Sequence, residues 1–236
     1  VLKNGTIDLS EMGLSTERIC QISQIYIVAC GSAYHVGVAA QYAIEDLSKI
    51  PVRVELASEF RYRKPLLDPN GLVVIVSQSG ETADSLAALR EAKSKGIETL
   101  AIVNVVGSSI AREADHVFYT LAGPEIAVAT TKAYSTQLIA AYVLAIKFAI
   151  AREEISEEEA QEMIKELTEL PDKISKILDE KERIQWFAAK VANLQDVFFI
   201  GRGMDYAIGM EGSLKMKEIS YIHSEAYAAG ELKHGT

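Results

Sequence analysis

Leu72-Val73-Val74-Ile75-Val76-Ser77-Gln78-Ser79-Gly80-Glu81-Thr82 joins an unbroken apolar run to a hydroxyl-rich turn, and a helical pattern follows directly. The run reads as a buried strand and the turn as the entry to a helix. Such a turn suits a phosphate. Amide N–H groups at a helix N-terminus lack intrahelical partners, the helix dipole favours negative charge, and side-chain hydroxyls add donors, so an anion needs no lysine there. Ser, Thr and Gly between a strand and a helix are also ordinary capping and loop residues, and the motif alone leaves both readings open. The chain has no Gly-Lys-Ser/Thr closing such a loop and no Gly-x-Gly-x-x-Gly, so a small phosphorylated ligand fits better than a nucleoside triphosphate or a dinucleotide.

Five short apolar or β-branched runs stand at 25–29, 52–56, 72–76, 99–104 and 116–120, with helical patterns at 36–47 and at 82–95 ending on Gly96. Strand alternating with helix implies a doubly wound α/β domain: a parallel five-stranded sheet covered on both faces and joined by right-handed crossovers. A very apolar helix is expected at about 130–151. Residues 153–182 are dense in Glu and Lys and carry an amphipathic stripe that Pro171 is expected to break, which reads as a helical connection with a solvated face. A new unit opens at 197–200, a strand followed by Gly201-Arg202-Gly203 and a helix at about 205–221. It repeats the strand, Cys30-Gly31-Ser32 and helix of the first unit, so the economical reading is two copies of one fold, the second represented by one strand and one helix.

At 236 residues and 49% hydrophobic, the chain can build one large or two small cores. The longest apolar stretch, 138–150, contains Tyr142 and Lys147 and reads as too short for a bilayer, and no signal peptide is visible, so a cytoplasmic location is expected. Cys20 and Cys30 offer neither a disulfide framework nor a zinc-ligand spacing, and no metal or cofactor is expected. A net charge of −9, from 33 acidic and 24 basic residues, argues against nucleic acid and means that any phosphate site must be local and preorganised.

In open parallel sheets ligands bind where strand order reverses, at the strands' carboxyl ends. For a flavodoxin-like order this brings Cys30-Gly31-Ser32-Ala33 beside Ser77-Gln78-Ser79-Gly80-Glu81-Thr82. The second unit offers acid/base chemistry: Glu211, Lys215 and Glu218 share a helix face. Such a row is commonly an exposed ion-pair ladder, but the same helix carries Met210, Leu214 and Ile219 and is expected to be well buried, where a carboxylate beside an ammonium stays ionised and can serve as a base. His234 could titrate near neutrality; as a loop histidine it reads equally well as a surface residue.

The stretches Cys30-Gly31-Ser32-Ala33-Tyr34-His35, Ser77 through Thr82, Glu125-Ile126-Ala127-Val128-Ala129-Thr130-Thr131-Lys132 and the block from Glu211 to Gly235 together resemble the glutamine–fructose-6-phosphate aminotransferase (glucosamine-6-phosphate synthase) family, in its isomerase part built from two sugar isomerase (SIS) domains. The resemblance covers nearly the whole chain, including Ala57-Ser58-Glu59-Phe60-Arg61-Tyr62-Arg63. It implies a lead-in from a glutaminase domain at 1–24, a first SIS domain at 25–151, the helical connection at 152–192 and a partial second SIS domain at 193–236. It further implies fructose 6-phosphate or glucosamine 6-phosphate as ligand. Ser77, Gln78, Ser79 and Thr82 would hold the phosphate, and Ser32 and the backbone around Val128 would contact the sugar. Glu218 would move a proton between C1 and C2 with Lys215 beside it, and His234 would assist ring opening across a homodimer interface.

Departures limit the transfer. The family has two hydroxyl residues where this chain has Ser32 and Ala33. The glutaminase nucleophile has no counterpart in Cys20 or Cys30, so glutamine hydrolysis is not expected of this stretch. The family's imine-forming lysine belongs to a C-terminal segment, and neither Lys233 nor Lys215 inherits that role. A sugar-phosphate sensor without catalysis and an SIS deaminase or deglycase remain the other readings.

Overall fold

The computed structural model describes residues 2, 3 and 5–235, which divide into two compact units, one spanning Asp8–Ser156 and the other built from the stretch before it and from Glu157 onward. In the second of these a short antiparallel pair, β1 (Leu2–Lys3) and β2 (Thr6–Ile7), opens the chain.

The larger unit runs α1 (Thr16–Gln21), β3 (Ile25–Ala29), α2 (Ser32–Ser48), β4 (Val52–Leu56), α3 (Ala57–Arg63), β5 (Leu72–Ser77), α4 (Ala83–Ser94), β6 (Glu98–Val103), α5 (Ser109–Glu113), β7 (His116–Tyr119) and α6 (Lys132–Ala151). Its five strands are all parallel, in the order β4-β3-β5-β6-β7, the doubly wound arrangement expected. The strands alternate between two cores. Tyr26, Val28, Val73, Ile75, Ala101 and Val103 point to one face, where Phe60 of α3, Leu89 of α4 and Ile110 of α5 cover them. Ile25, Ile27, Val74 and Val76 point to the other, under α2 and α6. Truncating the fully buried Phe60 would cost about 3–5 kcal/mol. Gly37 lets α2 approach closely, because a Cβ there would come within 2.8 Å of both Ile27 and Val54.

Three features differ from the sequence reading. Asn104 leaves the strand, since its polar groups are taken by two loops described below. Helix α3 was not expected: only Ala57 and Phe60 of its seven residues are buried, too few for a helical period to show. Helix α6 is, by length and composition, long and apolar enough to cross a membrane, contrary to the shorter stretch read from the sequence; it is mostly buried inside its unit and packs along α2, as a core helix does.

The smaller unit continues with α7 (Glu157–Asp179), α8 (Lys181–Val191), β8 (Asp196–Gly201), α9 (Met204–Ser220) and β9 (His223–Ala228). Pro171 does not break α7. Proline removes one backbone hydrogen bond, but Lys173, just after it, pairs with Glu166 and Glu169 before it, and the break falls instead at Glu180. The unit also holds a second strand. β9, poor in β-branched residues, pairs parallel with β8, Val197 opposite Ser224, just as Ile25 lies opposite Val52 in the larger unit. The repeat extends to the helix caps: Gly31 (φ 56°, ψ −132°) and Gly203 (φ 53°, ψ −124°) enter helices of 17 residues each. Only glycine adopts such angles without strain.

Candidate functional site

The hydroxyl-rich turn sits at the carboxyl end of β5, beside the loop leaving β3, for Ala29 is paired with Val76. The strand order reverses here, β4 lying on one side of β3 and β5 on the other. Cys30 Sγ lies 3.8 Å from Ser85 Oγ of α4, so the first loop abuts the helix that the second one enters. Ser32 is the first residue of α2, and Ala33 beside it supplies only a backbone amide.

Within the turn, Ser77 is buried while Gln78, Ser79 and Thr82 are half-buried. Ser77 Oγ accepts the Gly80 N–H at 3.0 Å and lies 3.1 Å from Thr82 Oγ1; Ser79 Oγ accepts the Glu81 N–H at 3.1 Å. Thr82 occupies the cap of α4, its carbonyl taking the Leu86 N–H at 2.9 Å while its hydroxyl caps nothing. Gly80 adopts φ 66°, and a Cβ on it would fall 2.0 Å from Ser108 Oγ, a buried hydroxyl with no hydrogen-bond partner among the described residues. The result is a rigid turn whose hydroxyls and first-turn amides can gather around an anion without reorganising.

Asn104, which sequence reading had left inside a strand, joins this turn to the segment bearing Val128. Its backbone N–H donates to the Gln78 carbonyl at 3.2 Å, its Oδ1 accepts the Ala122 N–H at 2.7 Å and the Thr120 hydroxyl at 3.1 Å, and its Nδ2 donates to the Gly123 carbonyl at 2.7 Å. An asparagine immediately after an apolar run was the one available signal. Further on, Glu125 accepts from Thr130 Oγ1, the Thr131 N–H and the Ala133 N–H. The Ala133 amide first, then burial opposing it, then the Thr130 hydroxyl leave the Glu125 carboxyl below its usual range. Between these anchors Val128 is 99% exposed.

In the smaller unit Lys215 Nζ forms ion pairs with Glu218 and, at 3.5 Å, with Glu211. Side-chain exposure rises along the row, from 7% at Glu211 through 19% at Lys215 to 34% at Glu218. The row is therefore half sunk, between the exposed ladder and the buried helix that spacing allowed. Ile219, expected inward, is 68% exposed, because two strands cover only one face of α9. His234 lies exposed in a single 3-10 turn, Leu232–His234, and among the described residues its ring makes no hydrogen bond or ion pair with Lys215 or Glu218.

A groove of about 670 Å³ at the opposite end of the strands, lined by Arg18, Lys93, Glu98, Asp115 and His116, is a different kind of feature. Its polar groups are already partnered, Arg18 and the His116 ring with Glu98 at 2.5 and 2.7 Å and Lys93 with Asp115 at 2.5 Å. They tie the lead-in to the sheet: His116 Nδ1 also meets the Met12 carbonyl at 3.1 Å.

The chain is 58% identical over its full length to a glutamine–fructose-6-phosphate aminotransferase (isomerizing) of Caldanaerobacter subterraneus, covering 39% of that protein, and 57% identical over 97% of its length to one of Clostridium tetani, covering 38%. It spans about two fifths of the length of these relatives. The solved C-terminal domain of glucosamine–fructose-6-phosphate aminotransferase from Francisella tularensis superposes on 99% of this chain with a TM-score of 0.95 at 40% identity, the match covering 66% of that structure. The SIS-domain family model matches residues 18–147 and 190–236, which take in both β-α-β repeats and every candidate residue named above. With that match falling on the two glycine-capped repeats, the chain belongs to the SIS-domain family.

Proposed function

We propose that this chain is the phosphosugar-binding and proton-transferring part of an isomerizing glutamine–fructose-6-phosphate aminotransferase. The observation that carries the reading is the laced turn from Ser77 to Thr82, held at the carboxyl end of the sheet next to Ser32. The hydroxyls of Ser77, Ser79 and Thr82, the Gln78 segment and the first amides of α4 take the phosphate of fructose 6-phosphate or glucosamine 6-phosphate, charge-assisted donors being the strongest available. Ser32 and the backbone at Val128 take sugar hydroxyls.

For the chemistry, a 1,2-shift needs one group that removes a proton from C1 of the open-chain ketose or its C2 imine and returns it to C2, passing through an enediol or enolamine. Glu218 is that group. Lys215 holds it through an ion pair, and Glu211 meets the same ammonium from the buried side. His234 serves ring opening, delivered to the site from the second subunit of a homodimer. The glutaminase domain of the whole protein supplies ammonia, and the protein works in the cytoplasm without metal or cofactor.

Titration calorimetry of this chain with fructose 6-phosphate, glucosamine 6-phosphate and unphosphorylated fructose tests the reading. Saturable heat from both phosphosugars and none from fructose is the expected result; a folded chain that binds neither overturns it. Binding by the whole protein with no isomerisation would instead mark it as a sensor.

A further inference from the structure

We propose that Glu81 is a positioning residue for the anion-binding turn: it clamps the turn to the segment entering α5 and, in doing so, turns its own charge away from the ligand. The inference rests on the phosphosugar reading above. A carboxylate between Ser79 and Thr82 is at first sight misplaced, since two like charges at contact distance oppose binding. Glu81 is resolved by its geometry. Its Oε1 accepts the Ser109 N–H at 2.7 Å, so the carboxylate is spent on a neighbouring helix turn and not on the ligand side of its own. The hydrogen bonds from the Ser109 backbone and side chain hold the carboxyl below its usual range, in keeping with a group kept ionised by a fixed donor.

This bond is one of a set. The Gly80 carbonyl accepts the Ile110 N–H at 3.0 Å, and the Gln78 carbonyl accepts the Asn104 N–H at 3.2 Å. Three bonds from residues 104–110 thus reach residues 78, 80 and 81, while Gly80 is backed by Ser108 with no room for a side chain. Of the three, only the bond from Glu81 is made by a side chain of the turn, so it is the one that substitution can remove without touching a hydroxyl. If Glu81 merely capped α5, its loss would lower stability and leave affinity alone; if it positions the turn, affinity falls because Ser79 and Thr82 are no longer held in register.

Three variants separate the cases. Glu81→Gln keeps the acceptor oxygen and removes the charge; Glu81→Ala removes both; Glu81→Asp keeps the charge one methylene too short to reach Ser109. Calorimetry with fructose 6-phosphate should show Glu81→Gln within about threefold of the unaltered chain and both Glu81→Ala and Glu81→Asp weakened about tenfold. Hydrogen exchange at the Ser109 amide should accelerate in the last two alone. Should Glu81→Ala not fold, Glu81→Asp decides. If the unaltered chain binds and Glu81→Asp binds equally well, or if all three variants bind more tightly, the positioning role is overturned and the phosphosugar reading stands. If the folded, unaltered chain binds no phosphosugar, that reading falls and takes the role of Glu81 with it.

Discussion

Ser77 Oγ and Thr82 Oγ1 lie 3.1 Å apart across the turn, one at the last residue of β5 and the other at the cap of α4. Because Ser77 Oγ also accepts the Gly80 N–H, its single proton is left to serve either Thr82 or an incoming anion. The two positions therefore differ in what substitution removes. Thr82→Val keeps shape and deletes a donor, so phosphosugar affinity should fall by about tenfold to a hundredfold, the worth of about 1.5–3 kcal/mol for a bond to a charged group, with little change in melting temperature. Ser77→Ala should lose affinity similarly and, in addition, about 1–3 kcal/mol of stability from the stranded Gly80 amide. Calorimetry and thermal melting on both variants check the contrast.

Gly80→Ala should be worse than either. It combines a left-handed backbone, costing about 1–3 kcal/mol, with a collision against Ser108. A fall of several degrees in melting temperature is expected, and Gly80→Ala together with Ser108→Gly should recover part of it, since the second change frees space and leaves φ strained. Equal melting of the single and double variants would show that the collision is relieved some other way.

In the complete protein, Glu218→Gln should abolish solvent deuterium exchange at C1 and C2 of the sugar while fructose 6-phosphate still binds. Undiminished exchange, followed by NMR, would remove Glu218 from the role of base. Lys215→Met should slow exchange less than Glu218→Gln does, because it removes the partner of the base and leaves the carboxylate itself.

Acid should unfasten the far edge of the sheet. Burial pushes the Asp115 carboxyl up, but the bonds from Lys93 and from the Thr99 hydroxyl and N–H outweigh it and leave it below its usual range. A carboxyl depressed in the folded state contributes stability that is present above the ordinary aspartate pKa and is lost as pH falls through the depressed one. Melting temperature should therefore drop through the acid range in the natural chain, and Asp115→Asn should flatten that limb while lowering the neutral plateau.

The sheet was legible because its central strands are apolar throughout: β3 and β5 are buried on both faces, and short apolar runs bounded by turn residues and alternating with helical patterns read as core strands. Strand β9 was not, since His223, Ser224 and Glu225 look like loop and only pairing with β8 makes them a strand. Of the site, the Ser-Gln-Ser-Gly-Glu-Thr turn and the spacing of Glu211, Lys215 and Glu218 are local and could be read. What Asn104, Glu81 and Ser108 do depends on partners tens of residues away or on a collision with a missing Cβ, and no local pattern encodes that.

The two glycine caps invite a comparison of cargo. Counted from Gly31 and from Gly203, Ala39, Ala43 and Asp46 fall where Glu211, Lys215 and Glu218 fall, so one backbone was written twice with different side chains on the same helix positions. A duplicated scaffold of this kind lets each copy drift separately: the copy with alanines packs tightly against α6, and the copy with charges keeps its face polar. The third position is acidic in both copies, so Ala39 and Ala43 are where an engineer would try to write the second copy's row into the first.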